Sequence, residues 1–409
     1  MEVTHRRCAG LDVHKDTVVA CARLVGDDGQ VALELGEFGT TTTELFRLGE
    51  WLSEHGCTHA AMEATGVYWK PVWHVLEGSI ELMLVNARHF RNVPGRKTDV
   101  NDATWLAELL AHGLLRASFV PPAPQQEIRD LTRTRKTLVR EQSRHIQRLQ
   151  KTLEDANIKL ASVVSNIVGK TGRAMLEAIA AGHDDPEALL RFKQRGIKAS
   201  DSELIEALRG HVTDQHRFDL RLHLDLIDAL DRALAAVDAR LEASLGPFRE
   251  ATALLVGIPG VGRTVAESLV GEIGTDMTRF PTAAHLRSWV RVCPRSDVSA
   301  GKHRSTRVQK GGVWLKPLLV GAAWSAVRKK DGYFRALFHR TKSRRGAKKA
   351  IVAVAAAILT TAYNLLRTGA TYADLGGDHF DRTEKHRAVQ RHVRRLNQLG
   401  YSVDLAPAV

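Results

Sequence analysis

The spacing of hydrophobic and polar positions divides the chain into three regions. Up to about residue 120, short runs of β-branched and small apolar residues alternate with segments of helical spacing. The first run, CAGLDVHKDTVVACARLV, predicts two antiparallel strands joined near residues 14–16. The runs THAAMEATG and IELMLVNA predict buried strands, and TTTELFRLGEWLSEHG and YWKPVWHVLEG predict helices. This alternation predicts an α/β domain that ends near the proline cluster at residues 121–124.

A long helical region follows, from residue 125 to about residue 245. It is almost free of proline, and its helical patterns break near residues 169–172, 182–186 and 196. Its first helix carries a broken apolar seam, formed by Leu131, Leu138, Ile146, Leu149 and Leu153. The seam is not a clean heptad repeat, so we expect a helix that pairs with another helix or dimerises.

The third region begins with LLVGIPGVGRTVAESLVGEIG, which predicts a helix, a glycine turn and a second helix. Such a turn either presents backbone N–H groups to a nucleic-acid phosphate or simply connects two helices. Near the C-terminus, the segment from Thr383 to Leu399 predicts a basic amphipathic helix that stops at Gly400. The expected order is an α/β domain over 1–122, a helical segment over 123–245, a mainly helical domain over 246–373 and a tail over 374–409.

The sequence favours a cytoplasmic location over secretion or a membrane. Its four cysteines form no CxxC pair, which is typical of a reducing compartment, and we expect them to be small core residues. No N-terminal segment resembles a signal peptide. The most apolar run, AIVAVAAAIL, is too short and too rich in alanine to cross a bilayer, so it predicts a buried helix.

Positive charge is concentrated in one part of the chain. The net charge is +13, yet Arg287 to Lys349 contain 18 Lys and Arg against two acids, which leaves +16 there and −3 elsewhere. A second basic feature is a stripe at helical spacing, formed by Arg129, Arg133, Lys136, Arg140, Arg144 and Arg148. Solvated surface charge is the alternative for both, but a density this one-sided indicates a surface that binds nucleic acid.

Four carboxylates occupy the positions where an RNase H-like sheet would need them. Asp12 lies on the first strand, Glu63 ends a later one, and Asp99 and Asp102 share one face at the start of a helix. Singly, the aspartates suit a turn, a helix N-terminus or solvent, whereas Glu63 in an apolar strand is costly without a partner. Converging carboxylates repel one another unless a divalent cation binds, so the set predicts Mg²⁺ or Mn²⁺ and phosphoryl transfer.

The stretch SDVSAGKHRSTRVQKGG combines hydroxyls with a dense group of cations. Either one hydroxyl is a nucleophile, or the stretch is an exposed basic loop that grips phosphate through Lys302, Arg304, Arg307 and Lys310. Two other interpretations fail. GIPGVGRT departs from a P-loop because Arg263 replaces the lysine, and Ser299 with Lys302 spells the SxxK motif of acyl enzymes without the buried helix that this motif requires.

Taken together, these blocks resemble the insertion sequence 110 family of transposases, the bridge-RNA-guided serine recombinases. The resemblance covers nearly the whole chain and rests on GLDVHKD, AMEATGVYW, RKTDVNDATWLAELL, GIPGVGRTVAESLVGEIG, VCPRSDVSAGKHRSTR and KGGVWLKPLLVGAAW. It departs from the usual family pattern at Val290, Arg291, Gly312 and Lys316.

The resemblance implies a RuvC-like domain, a coiled-coil segment that binds RNA and dimerises, and a C-terminal transposase domain. Asp12, Glu63, Asp99 and Asp102 fall on the DEDD metal-binding set, and Ser299 falls on a serine that forms a covalent phosphoserine link with DNA. Also implied are a guide RNA that pairs with donor and target DNA, and a dimer or tetramer. Two alternatives stay open: a metal-dependent junction nuclease that uses water, and a non-catalytic nucleic-acid-binding protein.

Overall fold

The structure is a computed structural model that describes residues 3–64, 66–86, 99–294, 297–299, 302–305, 307–308 and 310–405. The chain divides into two compact units, Met1–Pro121 and Pro122–Val409, which are treated separately below. The finer division of the second unit into helical, serine-containing and tail segments stays a prediction.

A five-stranded sheet forms the centre of the first unit. Its strands are β1 (Arg7–Val13), β2 (Thr17–Val25), β3 (Val31–Gly39), β4 (His59–Glu63) and β5 (Glu81–Val85), in the order β3-β2-β1-β4-β5. Strands β1, β2 and β3 are antiparallel neighbours, whereas β4 runs parallel to both β1 and β5. The strands predicted in CAGLDVHKDTVVACARLV, THAAMEATG and IELMLVNA are thus confirmed.

Helices cover both faces of this sheet. The described helices are α1 (Thr42–Glu54), α2 (Trp69–Leu76) and α3 (Asp99–Ala111). Helix α1 buries Leu45, Leu48 and Leu52, whose spacing of three and four puts them on one face, in a core shared with Leu11 and Met62. The opposite face of the sheet packs against α3.

Strand β3 is the element that the sequence pattern did not predict. It pairs with β2 along its whole length, from Val25 with Val31 to Thr17 with Gly39. Its outer residues Val31, Leu33 and Leu35 are 47–54 % exposed at the sheet edge. Burial therefore contributes little to this strand, and hairpin pairing with the preceding strand β2 specifies it instead.

The second unit is almost entirely helical, which together with the sheet confirms a mixed α/β and mainly helical chain. Its helices are α4 (Ala123–Asp155), α5 (Leu160–Val163), α6 (Lys170–Ala180), α7 (Pro186–Leu189), α8 (Asp201–Leu208), α9 (Asp214–Ser244), α10 (Arg249–Val256), α11 (Arg263–Ile273), α12 (Ala283–Val290), α13 (Leu315–Ala326), α14 (Tyr333–Arg345), α15 (Ala347–Thr368) and α16 (His379–Gln398). Two short strands, β6 (Asp297–Ser299) and β7 (Lys302–Ser305), lie between α12 and α13.

The long helices α4 and α9 pair with each other in antiparallel fashion. Ile128 near the start of α4 packs with Leu241 near the end of α9, whereas Leu149 near the end of α4 packs with Leu220 and Leu224. Polar pairs follow the same order, including Arg135 Nε with Asp238 Oδ1 at 2.6 Å. The apolar seam of α4 therefore packs against helices of the same chain.

Helix α15 forms the middle of the C-terminal core, which confirms the predicted buried helix. Its inward residues Ala350, Val354, Ile358 and Leu359 are 0 % exposed. Among the described helices it alone is long and apolar enough to cross a membrane, and half of that apolar stretch is buried inside the unit. Burial of this kind is expected of a core helix in a globular domain.

Candidate active site

The register of two parallel strands places Asp12 beside Glu63. Leu11 on β1 pairs with Met62 on β4, so the next residue of each strand reaches the same level at the carboxyl end of the sheet. Leu11 and Met62 point into the core beneath α1. Because side chains alternate between the two faces of a strand, Asp12 and Glu63 both lie on the opposite face.

That opposite face is covered by helix α3, whose start lies over Asp12. The Cys8 thiol donates a hydrogen bond to the Ala107 carbonyl oxygen at 3.5 Å. Two residues further along β1, a Cβ atom built on Gly10 would lie 2.0 Å from the Ala103 carbonyl oxygen. Helix α3 therefore runs antiparallel to β1, and its first turn, which contains Asp102, reaches the level of Asp12.

This geometry places Asp12 and Glu63 at one edge of the sheet, at the level of the helical turn that contains Asp99 and Asp102. Asp99 and Asp102 lie three residues apart in the first turn of α3, as predicted, although the Asp99 side chain lies outside the described residues. The Asp12 side chain is 15 % exposed, and its Oδ2 atom lies 3.2 Å from His14 Nε2. Sequence reasoning missed His14, although it follows Asp12 by only two residues.

The donors at this edge are carboxylate oxygens, which suit a hard divalent cation. Among the described side chains, no group of three or more His, Cys, Asp or Glu is close enough to hold a metal ion. A metal site at this edge therefore stays a prediction.

Ser299 is the last residue of β6, so part of the stretch that the sequence suggested as a loop forms a strand. Ser299 pairs with Lys302, and Val298 pairs with His303, so β6 and β7 form a two-stranded antiparallel ribbon that we call the serine ribbon. The side chains of Ser299, Lys302 and Arg304 lie outside the described residues, whereas those of Arg307 and Lys310 are exposed.

The base of the serine ribbon is tied to the end of α12. Pro294 forms a β-bridge with Val308, and the Arg291 guanidinium donates a hydrogen bond to the Lys310 carbonyl oxygen. Arg291 has a φ of 63°, a left-handed conformation that glycine adopts more easily. A Cβ atom on Gly312 would lie 2.6 Å from the Val290 carbonyl oxygen. The departures from the family pattern at 290–291 and at 312 thus lie against each other.

The segment GIPGVGRT connects two helices, α10 and α11. No strand precedes it, which agrees with the rejection of a P-loop. The turn packs closely, because a Cβ atom on Gly260 would lie 2.2 Å from the Ala322 carbonyl oxygen. Arg263 donates to Glu267 at 2.7 Å and also pairs with Glu242.

The basic stripe on α4 divides into two halves. Arg129, Arg133 and Lys136 face the protein. Arg133 donates hydrogen bonds to Glu272 Oε1 and Oε2 at 2.6 and 2.8 Å. Burial lowers the pKa of Arg129 and of Lys136. The spacing of the stripe could not predict this ion pair, because Glu272 lies 139 residues from Arg133 in the sequence. Arg140, Arg144 and Arg148 are exposed, with Arg144 donating to Glu141 at 2.5 Å.

Two family comparisons match most of the regions just described. Residues 9–158, which include the four acids, match a DEDD transposase family of IS110 elements, described as "Transposase". Residues 252–339, which include Ser299, match the "Transposase IS116/IS110/IS902 family".

Curated relatives point the same way. The transposase for insertion sequence element IS1111A of Coxiella burnetii is 22 % identical over 378 residues, covering 89 % of this chain and 90 % of the relative. The insertion element IS110 uncharacterized 43.6 kDa protein of Streptomyces coelicolor is 28 % identical over 203 residues, covering 43 % of this chain and 49 % of the relative. The chain is therefore a member of the IS110 family of transposases, an enzyme of an insertion sequence that cleaves and recombines DNA.

Proposed function

We propose that this transposase exchanges DNA strands through a covalent phosphoserine at Ser299, assisted by Mg²⁺ or Mn²⁺ at Asp12, Glu63, Asp99 and Asp102. The observation that carries the proposal is the common level of Asp12 and Glu63 on neighbouring parallel strands, beneath the first turn of α3. The strand order β3-β2-β1-β4-β5, with two antiparallel pairings followed by two parallel pairings, supports a RuvC-like domain.

The proposed reaction conserves bond energy. The Ser299 hydroxyl oxygen attacks a phosphodiester phosphorus and loses its proton, while the bond from phosphorus to one sugar oxygen breaks and that oxygen takes up a proton. A sugar hydroxyl of the second strand then attacks the phosphoserine and restores the serine. A bound divalent cation would stabilise the charge that develops on the phosphate oxygens. The four carboxylates would hold that cation.

RNA guidance is a second part of the proposal. The exposed cations Arg140, Arg144 and Arg148 on α4 suit an RNA backbone, and Arg307 and Lys310 beside the serine ribbon suit DNA phosphates. Base pairing between a guide RNA and donor and target DNA would supply sequence specificity, so the protein needs mainly backbone contacts. We expect a dimer or tetramer that works in the cytoplasm on nucleoid DNA, because exchange requires several strands at once.

A metal-dependent nuclease that uses water is the alternative, because the carboxylate edge forms without any contribution from Ser299. The two are separated by purifying the RNA-bound protein and adding Mg²⁺ and DNA that carries the ends of the element. With phosphoserine chemistry, Ser299→Ala and Asp12→Asn both abolish strand cleavage. If Ser299→Ala still cleaves while Asp12→Asn does not, the nuclease alternative is correct. If both variants cleave at the wild-type rate, neither Ser299 nor Asp12 takes part in catalysis.

A further inference from the structure

We infer that Lys136 and Arg133 on α4, together with Glu272 on α11, are positioning residues that hold the chain leaving the serine ribbon. The inference rests on the proposed role of Ser299 and goes beyond it, because it gives the inner half of the basic stripe a task other than binding nucleic acid.

Lys136 donates hydrogen bonds to the chain at the start of helix α13. Its Nζ atom donates hydrogen bonds to the carbonyl oxygens of Val313 and Trp314 at 2.9 and 2.8 Å, and it lies 5.3 Å from the centre of the Trp314 ring. In a helix, the Val313 carbonyl would accept from the residue four positions later, but that residue is Pro317, which has no N–H group. Lys136 therefore supplies a donor that the local sequence lacks.

Arg133 contacts the same tryptophan over the face of its ring. Its guanidinium lies 5.0 Å from the centre of the Trp314 ring while it binds both carboxylate oxygens of Glu272. The Glu272 side chain is only 6 % exposed, so this bidentate pair is largely shielded from water. Arg129 adds a bond from Nη2 to the Glu272 carbonyl oxygen at 2.7 Å. These contacts link α4, α11 and Trp314 into one cluster, which we call the joint.

A series of backbone contacts connects the joint to Ser299. Strand β7 pairs with β6 at Lys302 and Ser299, and Val308 bridges to Pro294. The Lys310 carbonyl accepts from Arg291, and the Gly312 carbonyl accepts from the Lys316 N–H at 3.1 Å. Val313 and Trp314 follow directly. The ribbon is therefore anchored on α12, and the chain that leaves it is anchored on α4, so we expect loosening of either anchor to displace Ser299.

This arrangement predicts that the two halves of the stripe behave differently. Removing the inner cations slows attack by Ser299, because a displacement of about 1 Å can cost about 100-fold in rate. The salt dependence of RNA binding should not change, because these cations face protein. Removing the outer cations lowers the slope of RNA affinity against salt by about one for each lost phosphate contact.

The test uses the full-length, RNA-bound protein with Lys136→Met, Lys136→Arg and, as the matched control from the outer half, Arg140→Met. Three quantities are measured: the rate of protein-DNA adduct formation at saturating DNA, RNA affinity against salt, and hydrogen exchange of the β6 and β7 amides. We expect Lys136→Met to slow adduct formation about 10- to 100-fold, with faster exchange in the ribbon and an unchanged salt slope. Lys136→Arg, which keeps two donors, should restore most of the rate.

Three outcomes would overturn the inference: a normal rate in Lys136→Met, a reduced salt slope in that variant, or unchanged exchange in β6 and β7. Trp314→Leu, which removes only the ring contacts, gives a second variant if Lys136→Met folds poorly, and it should also speed exchange in the ribbon. A wild-type protein that forms no adduct would contradict the proposed phosphoserine instead, while the exchange measurement would still decide whether the joint anchors the ribbon.

Discussion

Gly10 on β1 and Ala103 on α3 approach so closely that a Cβ atom on Gly10 would lie 2.0 Å from the Ala103 carbonyl oxygen. The same Cβ atom would lie 2.6 Å from the Ala107 backbone nitrogen. Only glycine lets the helix lie this close to the strand, and this closeness brings the first turn of α3 to the level of Asp12. The position of α3 over the edge that carries Asp12 and Glu63 thus depends on a residue that has no functional group.

We therefore expect Gly10→Ala to push α3 away from the sheet. Both neighbouring atoms belong to backbone, so the clash cannot be relieved by a side-chain rotation, and the loss of unfolding free energy should be about 1–3 kcal/mol. DNA cleavage should fall with it. Chemical denaturation of the variant measures the first effect. Gly196→Ala serves as the control, because its new Cβ atom meets open space; equal stability of the two variants would contradict the close approach.

Glu272→Gln should destabilise the second unit. Removing the carboxylate leaves the Arg133 guanidinium, and beside it Arg129, without their buried anion, and breaking a buried pair costs about 3–5 kcal/mol. Because the Arg133 side chain is 33 % exposed, we expect the lower end of that range. Glu141→Gln breaks the exposed pair with Arg144 and should cost less than about 1 kcal/mol. Urea denaturation of both variants checks the contrast, and a similar cost for both would refute it.

The pairing of α4 with α9 should weaken in mild acid. Burial, the neighbouring His145 and Arg148 lower the pKa of His223 below its ordinary value of 6.5, opposed by Asp219. The folded state therefore takes up this proton less readily than the unfolded state, so the contribution is fully present above pH 6.5 and is lost as pH falls through the folded-state pKa. Thermal unfolding from pH 7.5 to 5 should show the loss, and His223→Gln should flatten it. An identical pH profile in that variant would contradict this origin.

Three of the four cysteines should be unreactive in the folded protein. Burial raises the pKa of Cys8 to about 12 and that of Cys57 to about 11, and it also raises the pKa of Cys21. Thiolate, the reactive form, is scarce at such values. Cys293 is partly exposed. Iodoacetamide followed by peptide mass spectrometry should label Cys293 in the native protein and the other three only after unfolding; early labelling of Cys8 would show that its strand is not buried.

Sequence patterns predicted the parts of the site that depend on local periodicity. Asp12 was recognisable within an apolar strand pattern and Glu63 at the end of one, and the i, i+3 spacing of Asp99 and Asp102 placed them on one face of a helix. The common level of Asp12 and Glu63 depends on the register of β1 with β4, and the approach of α3 depends on Gly10; both are tertiary properties.

Partners distant in sequence account for what the patterns missed. Arg133 resembled a solvated or RNA-binding cation because its acid, Glu272, lies 139 residues away. The glycines and cations around Ser299 suggested a loop, whereas pairing of Ser299 with Lys302 forms a ribbon. Strand β3 lacks a buried face, so its pattern carried no clear signal of strand structure.

The most direct test of the proposed chemistry is a denaturing gel of the RNA-bound transposase incubated with Mg²⁺ and end-labelled DNA of the element. We predict a covalent protein-DNA band whose peptide map places the phosphate on Ser299, and which disappears in both Ser299→Ala and Asp12→Asn. Cleaved DNA without any covalent band, in a protein that retains its RNA, would contradict the phosphoserine mechanism.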